Sequence, residues 1–210
     1  YFLYKLGMRM MTLTWNYENS LGFPNVRLDK KASASSDRYC LSQNKGLKEQ
    51  GIVFLEEMER LGMIIDVSHL SDAGFYDVLE HTTKPFVASH SNARSVCPAV
   101  RNLTDDMVRR LAERGGITGI NFCKEFLGKP DVSQNYLDQA VVHMKYLMNL
   151  GGEDFVALGS DFDGITRYHD LSDCSVMPKL VHTMKKAGLT PTQIEKICYK
   201  NTLRVYRDLL

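Results

Sequence analysis

Nothing in this sequence favours a membrane or a nucleic acid as partner. No apolar run approaches the roughly 20 residues of a membrane span, and no signal-peptide pattern is visible. Charge of one sign is missing too. The 26 basic residues face 25 acidic ones, a net +1, so no strong field gathers phosphates or anionic lipid. There is no Gly-rich phosphate loop, which counts against a nucleotide-binding sheet, and no internal repeat or low-complexity tract. Cysteine is sparse: Cys40, Cys97, Cys123, Cys174 and Cys198 lie far apart without a C-x-x-C pair. An odd number of scattered thiols points to free cysteines in a reducing cytoplasm rather than to a disulfide framework. The 210 residues, 44 % hydrophobic and 24 % charged, suit an ordinary globular protein, with a single domain over residues 1–210 as the expectation.

Five short, β-prone apolar segments recur, at residues 8–15, 63–67, 85–88, 116–122 and 155–158. Helical patterns lie between them. Residues 46–61 place Val53, Phe54, Met58 and Leu61 at helical spacing. Residues 71–80 open on a Ser cap, with Phe75, Val78 and Leu79 on one face. Residues 102–114 carry Thr104 as cap, acids in the first turn and arginines later, which suits a helix dipole. A further helix over 136–150 closes on Gly151 and Gly152, and others are expected near 176–187, 191–196 and 202–209. This alternation predicts an α/β fold with a parallel sheet, either open and doubly wound or part of an eight-stranded barrel. Residues 20–45 fit neither pattern and are expected to form an irregular, functional or mobile loop. The opening "YFLYKLG" reads as the end of a helix closed at Gly7, so an N-terminal part is expected upstream.

In parallel α/β folds, chemistry gathers at the C-terminal ends of the strands. There the second segment runs into Asp66-Val67-Ser68-His69, the third into Ser89-His90, and the fifth into Gly159-Ser160-Asp161. Adjacent strands lie about 4.8 Å apart, so His69 and His90, one strand–helix–strand unit apart, can project over one mouth. Two imidazoles so placed can share zinc or another borderline ion at about 2.0–2.1 Å each. The plainer reading is two polar residues that merely end strands. Asp161 follows its apolar run directly and suits a metal shell or a proton shuttle, whereas Asp163-Gly164 suits a loop turn. Arg101 precedes a helix cap, where it can fork onto a substrate carboxylate or simply be solvated. Of the other histidines, His143 and His182 fall inside expected helices, His81 just after one, and His169 in a polar loop.

Together "IIDVSHLSDAGFYDVLE", "PFVASHSNARSVCPAVRNLTDDMV", "GITGINF" and "GEDFVALGSDFDGI" resemble the membrane (renal-type) dipeptidase family, the M19 metallopeptidases. The likeness runs from "KLGMRMMTLTWNYEN" through "NTLRVYRDLL". It implies a (β/α)8 TIM barrel of the metallo-dependent hydrolase type, with about the last five βα units in this chain. It further implies two zinc ions at the mouth, a dipeptide substrate attacked by a metal-activated water, and a homodimer as a common assembly. By position, His69 and His90 match two zinc-binding histidines. Arg101 matches the arginine that holds the substrate's terminal carboxylate, and Asp161 the aspartate that moves protons.

The departures are specific. Family members carry an H-x-D pair on the first barrel strand and a bridging Glu on the third, and this sequence has no H-x-D. Those ligands and the first three strands are therefore expected upstream, where a targeting signal would also lie. Trp15 stands where mammalian members carry a histidine, a place where bacterial relatives often carry Trp. The alternative expectation is an N-terminally truncated, inactive remnant serving as a binding or oligomerising module.

Overall fold

Each of the five apolar segments carries a strand shorter than itself. The computed structural model describes residues 1–25, 45–131, 135–166 and 170–210, together with the backbone of two short strands. In chain order the elements begin with α1 (Phe2–Lys5), β1 (Met10–Thr12), β2 (Arg27–Leu28) and β3 (Tyr39–Cys40). Then come α2 (Glu49–Leu61), β4 (Ile64–Asp66), α3 (Asp72–His81), β5 (Val87–Ala88), α4 (Asp105–Glu113) and β6 (Ile117–Ile120). The rest are α5 (Lys124–Leu127), α6 (Tyr136–Gly151), β7 (Val156–Leu158), α7 (Met177–Lys186), α8 (Pro191–Glu195) and α9 (Asn201–Leu209). Most of the irregular stretch expected at 20–45 lies outside the described residues, as does His169.

Local chemistry sets the helix starts. Ser71 accepts from the Gly74 amide and Thr104 from the Met107 amide, while Asn135 with Asp138 and Thr190 with Gln193 form capping boxes. Two expectations are corrected. Val53 is 63 % exposed, whereas Met58 is buried and Phe54 and Leu61 pack against the core as expected, with Gly51 and Leu55 also buried on that face of α2. The two helices expected at 191–196 and 202–209 run on through a π-helical turn at Lys196–Lys200, a stretch with no Gly or Pro to break it.

The main sheet has the order β1-β4-β5-β6-β7, and every pairing is parallel. Each strand therefore lies beside the one before it, as the βα rhythm requires. Successive residues point to opposite faces, and one face is sorted by depth. Its lower level carries Ile64, Val87, Ile117 and Ala157, closed by Val205 of α9 with Met10 and Leu209 packed against them. Asn201 anchors that helix, its Nδ2 donating to Glu153 O and Val156 O. Towards the C-terminal ends the same face turns polar, with Thr12 registered on Asp66. The opposite face packs Ile65, Ala88, Ile120 and Val156 into the larger core under the helices.

Glycine lets the polar end close. A Cβ on Gly119 would collide with Ser89 O and the Gly159 backbone, and one on Gly159 with Ser89 O and Gly119. Both collisions are with backbone, which cannot swing aside. Gly119→Ala and Gly159→Ala should each cost about 1–3 kcal/mol, read as a lowered midpoint in denaturant unfolding. An unchanged midpoint would mean that these strand ends are not closely packed.

Candidate active site

Every strand end of the main sheet contributes a polar side chain to one rim. Asn16 follows β1, Ser68 and His69 follow β4, Ser89 and His90 follow β5, Asn121 follows β6 and Asp161 follows β7. His69 and His90 meet there, Nε2 to Nε2, at 2.9 Å. Their other nitrogens are engaged, His69 Nδ1 with Asn16 Oδ1 at 3.0 Å and His90 Nδ1 with Ser89 Oγ at 2.7 Å. Burial, the Arg101 charge and the neighbouring imidazole push His69 down to about 2. Burial and Arg101 push His90 down as well, against the upward pull of Asp66 and Asp161. Both rings are therefore neutral at pH 7, the form that can donate a lone pair.

Beneath this pair sits Asp66, 1 % exposed. Its Oδ2 accepts from Thr12 Oγ1 and Ser89 Oγ, both at 2.6 Å. Its Oδ1 accepts from the Ser89 amide at 2.8 Å and the Ser68 amide at 3.1 Å. The lone acid inside the apolar run "MIIDV" was the sequence signal for this anchor, and the reading by motif passed over it. Asn16, Ser89 and Asn121 were missed likewise, because short polar residues after a strand look like ordinary turn chemistry.

Asp161 is the one described non-glycine residue with positive φ, at 62°, a conformation that side chains other than Asn and Asp seldom adopt. Asn121 Nδ2 donates to its Oδ2 at 3.1 Å, and no other hydrogen bond reaches that carboxylate among the described residues. Asn121 is held in turn by Asn92, which accepts from the Asn121 amide and donates to the Asn121 carbonyl, both at 2.9 Å.

Arg101 is 2 % exposed, with its guanidinium over the Phe126 ring at 5.5 Å, so the solvated alternative is excluded. Arg94 grips the loop around it. Its two terminal nitrogens fork onto Asp72 at 2.7 and 2.8 Å, while Nε donates to Asn102 O and Nη2 to Val100 O. A cavity of about 10 Å³, room for a single water, lies among Asn25, Ser68, Ser91, Arg94, Arg101 and Asn102. Trp15, 61 % exposed, stands on the rim after β1 with its ring against Tyr17.

The geometry thus brings His69, His90 and Asp161 to one rim, with Arg101 close enough to act on both imidazoles. Two converging neutral nitrogens fit a shared cation. A catalytic zinc takes three protein ligands, and among the described residues no group of three metal-ligating side chains is assembled.

The family model described as membrane dipeptidase (Peptidase family M19) matches residues 1–209. The chain is 38 % identical over 209 residues to an uncharacterized protein in the pqqA 5′ region of Klebsiella pneumoniae, covering 98 % of this chain and 74 % of that one. It is 35 % identical over 206 residues to an uncharacterized dipeptidase of Schizosaccharomyces pombe, covering 97 % and 47 %. Among solved structures it is similar to dipeptidase AC, an M19 metallopeptidase, with TM-score 0.86, 31 % identity and coverage of 99 % and 60 %. A metallopeptidase from Rhodobacter sphaeroides, liganded with a phosphinate mimic of the dipeptide L-Ala-D-Ala, matches with TM-score 0.85, 30 % identity and coverage of 100 % and 58 %. The chain spans about half the length of the S. pombe relative and about 60 % of the two solved enzymes. Its five parallel strands are part of the TIM barrel of such enzymes, as the sequence led us to expect.

His143 belongs to the scaffold. It is fully buried in α6, its Nε2 donating to Leu127 O at 2.9 Å and its Nδ1 accepting from the Ala93 amide at 3.2 Å. Burial holds it at about 4, and a proton on Nδ1 would face the Ala93 N–H. Between pH 6.5 and 4 the unfolded chain takes up a proton that the folded chain refuses. Stability is therefore full above pH 6.5 and is lost as pH falls towards 4, by about 3 kcal/mol from this residue. His143→Gln should lose roughly one proton's worth of that slope in unfolding free energy against pH. Identical slopes would contradict the assignment.

Proposed function

This chain belongs to the membrane dipeptidase family, peptidase family M19, and on that premise we propose that the protein carrying it is a zinc-dependent dipeptidase. The observation that carries the reading is the meeting of the two neutral imidazole nitrogens at 2.9 Å on the rim. His69 and His90 would hold the metal, with at least one further ligand. When bound, zinc supplies a Lewis acid that polarises the scissile carbonyl and makes a water nucleophilic at neutral pH.

The chain's own residues do the remaining work. Arg101 is permanently charged and planar, so it would hold the terminal carboxylate of the dipeptide and set its peptide bond over the rim. Asp161 would take a proton from the attacking water and pass it to the nitrogen of the departing amino acid. One C–O bond forms, the C–N bond breaks, and the proton leaves with the amine. Asn121 holds one oxygen of that carboxylate, which fixes its direction during both transfers. The neighbouring phenyl rings, Phe122 against Phe162 at 5.4 Å, brace the turn that carries it.

The experiment is hydrolysis of small dipeptides by the protein carrying this chain. His69→Ala and His90→Ala should each lower kcat/KM by at least about 100-fold, with chelation abolishing activity and zinc restoring it. Arg101→Met should raise KM by about 10–100-fold and change kcat less. Hydrolysis that survives both chelation and loss of the two histidines would overturn the reading. Absence of both hydrolysis and zinc uptake would favour a non-catalytic binding or oligomerising module.

A further inference from the structure

We propose that Asp66, acting through Ser89, presets His90 as the tautomer protonated on Nδ1, so that its Nε2 lone pair faces the point shared with His69. This makes Asp66 a positioning residue of the cation site, and the inference rests on the metal reading above.

The protons around Asp66 and Ser89 can be counted. Asp66 receives four donors: Thr12 Oγ1, Ser89 Oγ and the amides of Ser68 and Ser89. Ser89 Oγ donates to Oδ2 at 2.6 Å, and a hydroxyl has one proton to give, so that proton is committed. The Ser89 oxygen then has two acceptor positions left and two neighbours, Ser68 Oγ at 3.1 Å and His90 Nδ1 at 2.7 Å. Ser68 Oγ accepts from the His90 amide at 2.9 Å, which leaves its own proton free to point at Ser89. Every position on the Ser89 oxygen is filled only if His90 Nδ1 donates. A neutral imidazole protonated on Nδ1 carries its lone pair on Nε2.

His69 differs. Its Nδ1 faces Asn16, whose amide has a donor end and an acceptor end and can turn. Without a cation, His69 can carry its proton on Nε2 and donate it to His90 across the 2.9 Å gap. With a cation, the proton sits on Nδ1 against Asn16 Oδ1, and two lone pairs converge. One imidazole is preset and the other adapts. Two lone pairs at that separation repel unless something positive lies between them, so His69 gives up its Nε2 proton only when a cation is bound.

The test reads tautomers and metal affinity separately, in the protein carrying this chain. Long-range proton–nitrogen NMR of 15N-labelled histidine, without metal, should find His90 protonated on Nδ1. In Asp66→Asn an amide nitrogen can donate to Ser89, whose hydroxyl then turns to His90 Nδ1. The His90 proton should move to Nε2, and zinc affinity by competition titration should fall about 10–100-fold. Ser89→Ala removes the acceptor and should also weaken zinc binding, which keeps the test available if Asp66→Asn does not fold. A folded Asp66→Asn protein with lower thermal stability but unchanged tautomer and zinc affinity would overturn the proposal. Wild-type protein that takes up no zinc, yet keeps His90 protonated on Nδ1, would sink the metal reading and leave the relay standing.

Discussion

Burying a carboxylate costs several kcal/mol unless its lone pairs are met, and Asp66 is met four times. The donors come from three strand ends: Thr12 from β1, Ser68 after β4 itself, and Ser89 after β5. Satisfying this one side chain therefore fixes the spacing of three strands and the direction of the loops that leave them. Removing any donor would leave a buried lone pair unmet, which is why the arrangement is rigid rather than adjustable. The apolar level below, closed by Val205 and Leu209, keeps water from the carboxylate's lower side. Hydrophobic sealing and polar satisfaction thus meet within one turn of the chain.

From that anchor the rim is built outward by the same rule. The Asn92 side chain holds the Asn121 backbone by two hydrogen bonds, and the Asn121 side chain in turn holds Asp161 on the rim with the imidazoles. Arg94, forked onto Asp72, takes the carbonyls of Val100 and Asn102 on either side of Arg101. In each case a side chain supplies the partner that a loop carbonyl or amide would otherwise find in water. Asp161 is the one described residue outside glycine with a positive φ, and it carries the carboxylate that we propose moves a proton.

The alternation of short apolar runs with capped helices was legible because period and capping are local properties, and the Ser71 and Thr104 caps sit where the residues suggested. His69 and His90 were legible because a repeated apolar run ending in Ser-His puts equivalent positions on adjacent strands. What the sequence concealed is non-local. Asp66 was visible at a strand end but without a role, since its hydroxyl donors stand 23 and 54 residues away in the chain. The exposure of Val53 was concealed for a related reason: it is apolar and adjoins the buried stripe of α2, and only packing decides where that stripe ends. The continuous rod of α8 and α9 arises because the π turn has no residue that would break it.

The protein thus combines a family scaffold with a rim on which two neutral imidazoles, a charged guanidinium and an oriented carboxylate share a small space. The proposed function requires the imidazole pair to be a cation site and not a hydrogen-bonded pair of core histidines. Anomalous scattering from zinc-soaked crystals of the protein carrying this chain tests it most directly. The account predicts a zinc peak about 2.0–2.1 Å from both His69 Nε2 and His90 Nε2. A map with no peak there, and the two rings still bonded to each other, would contradict it.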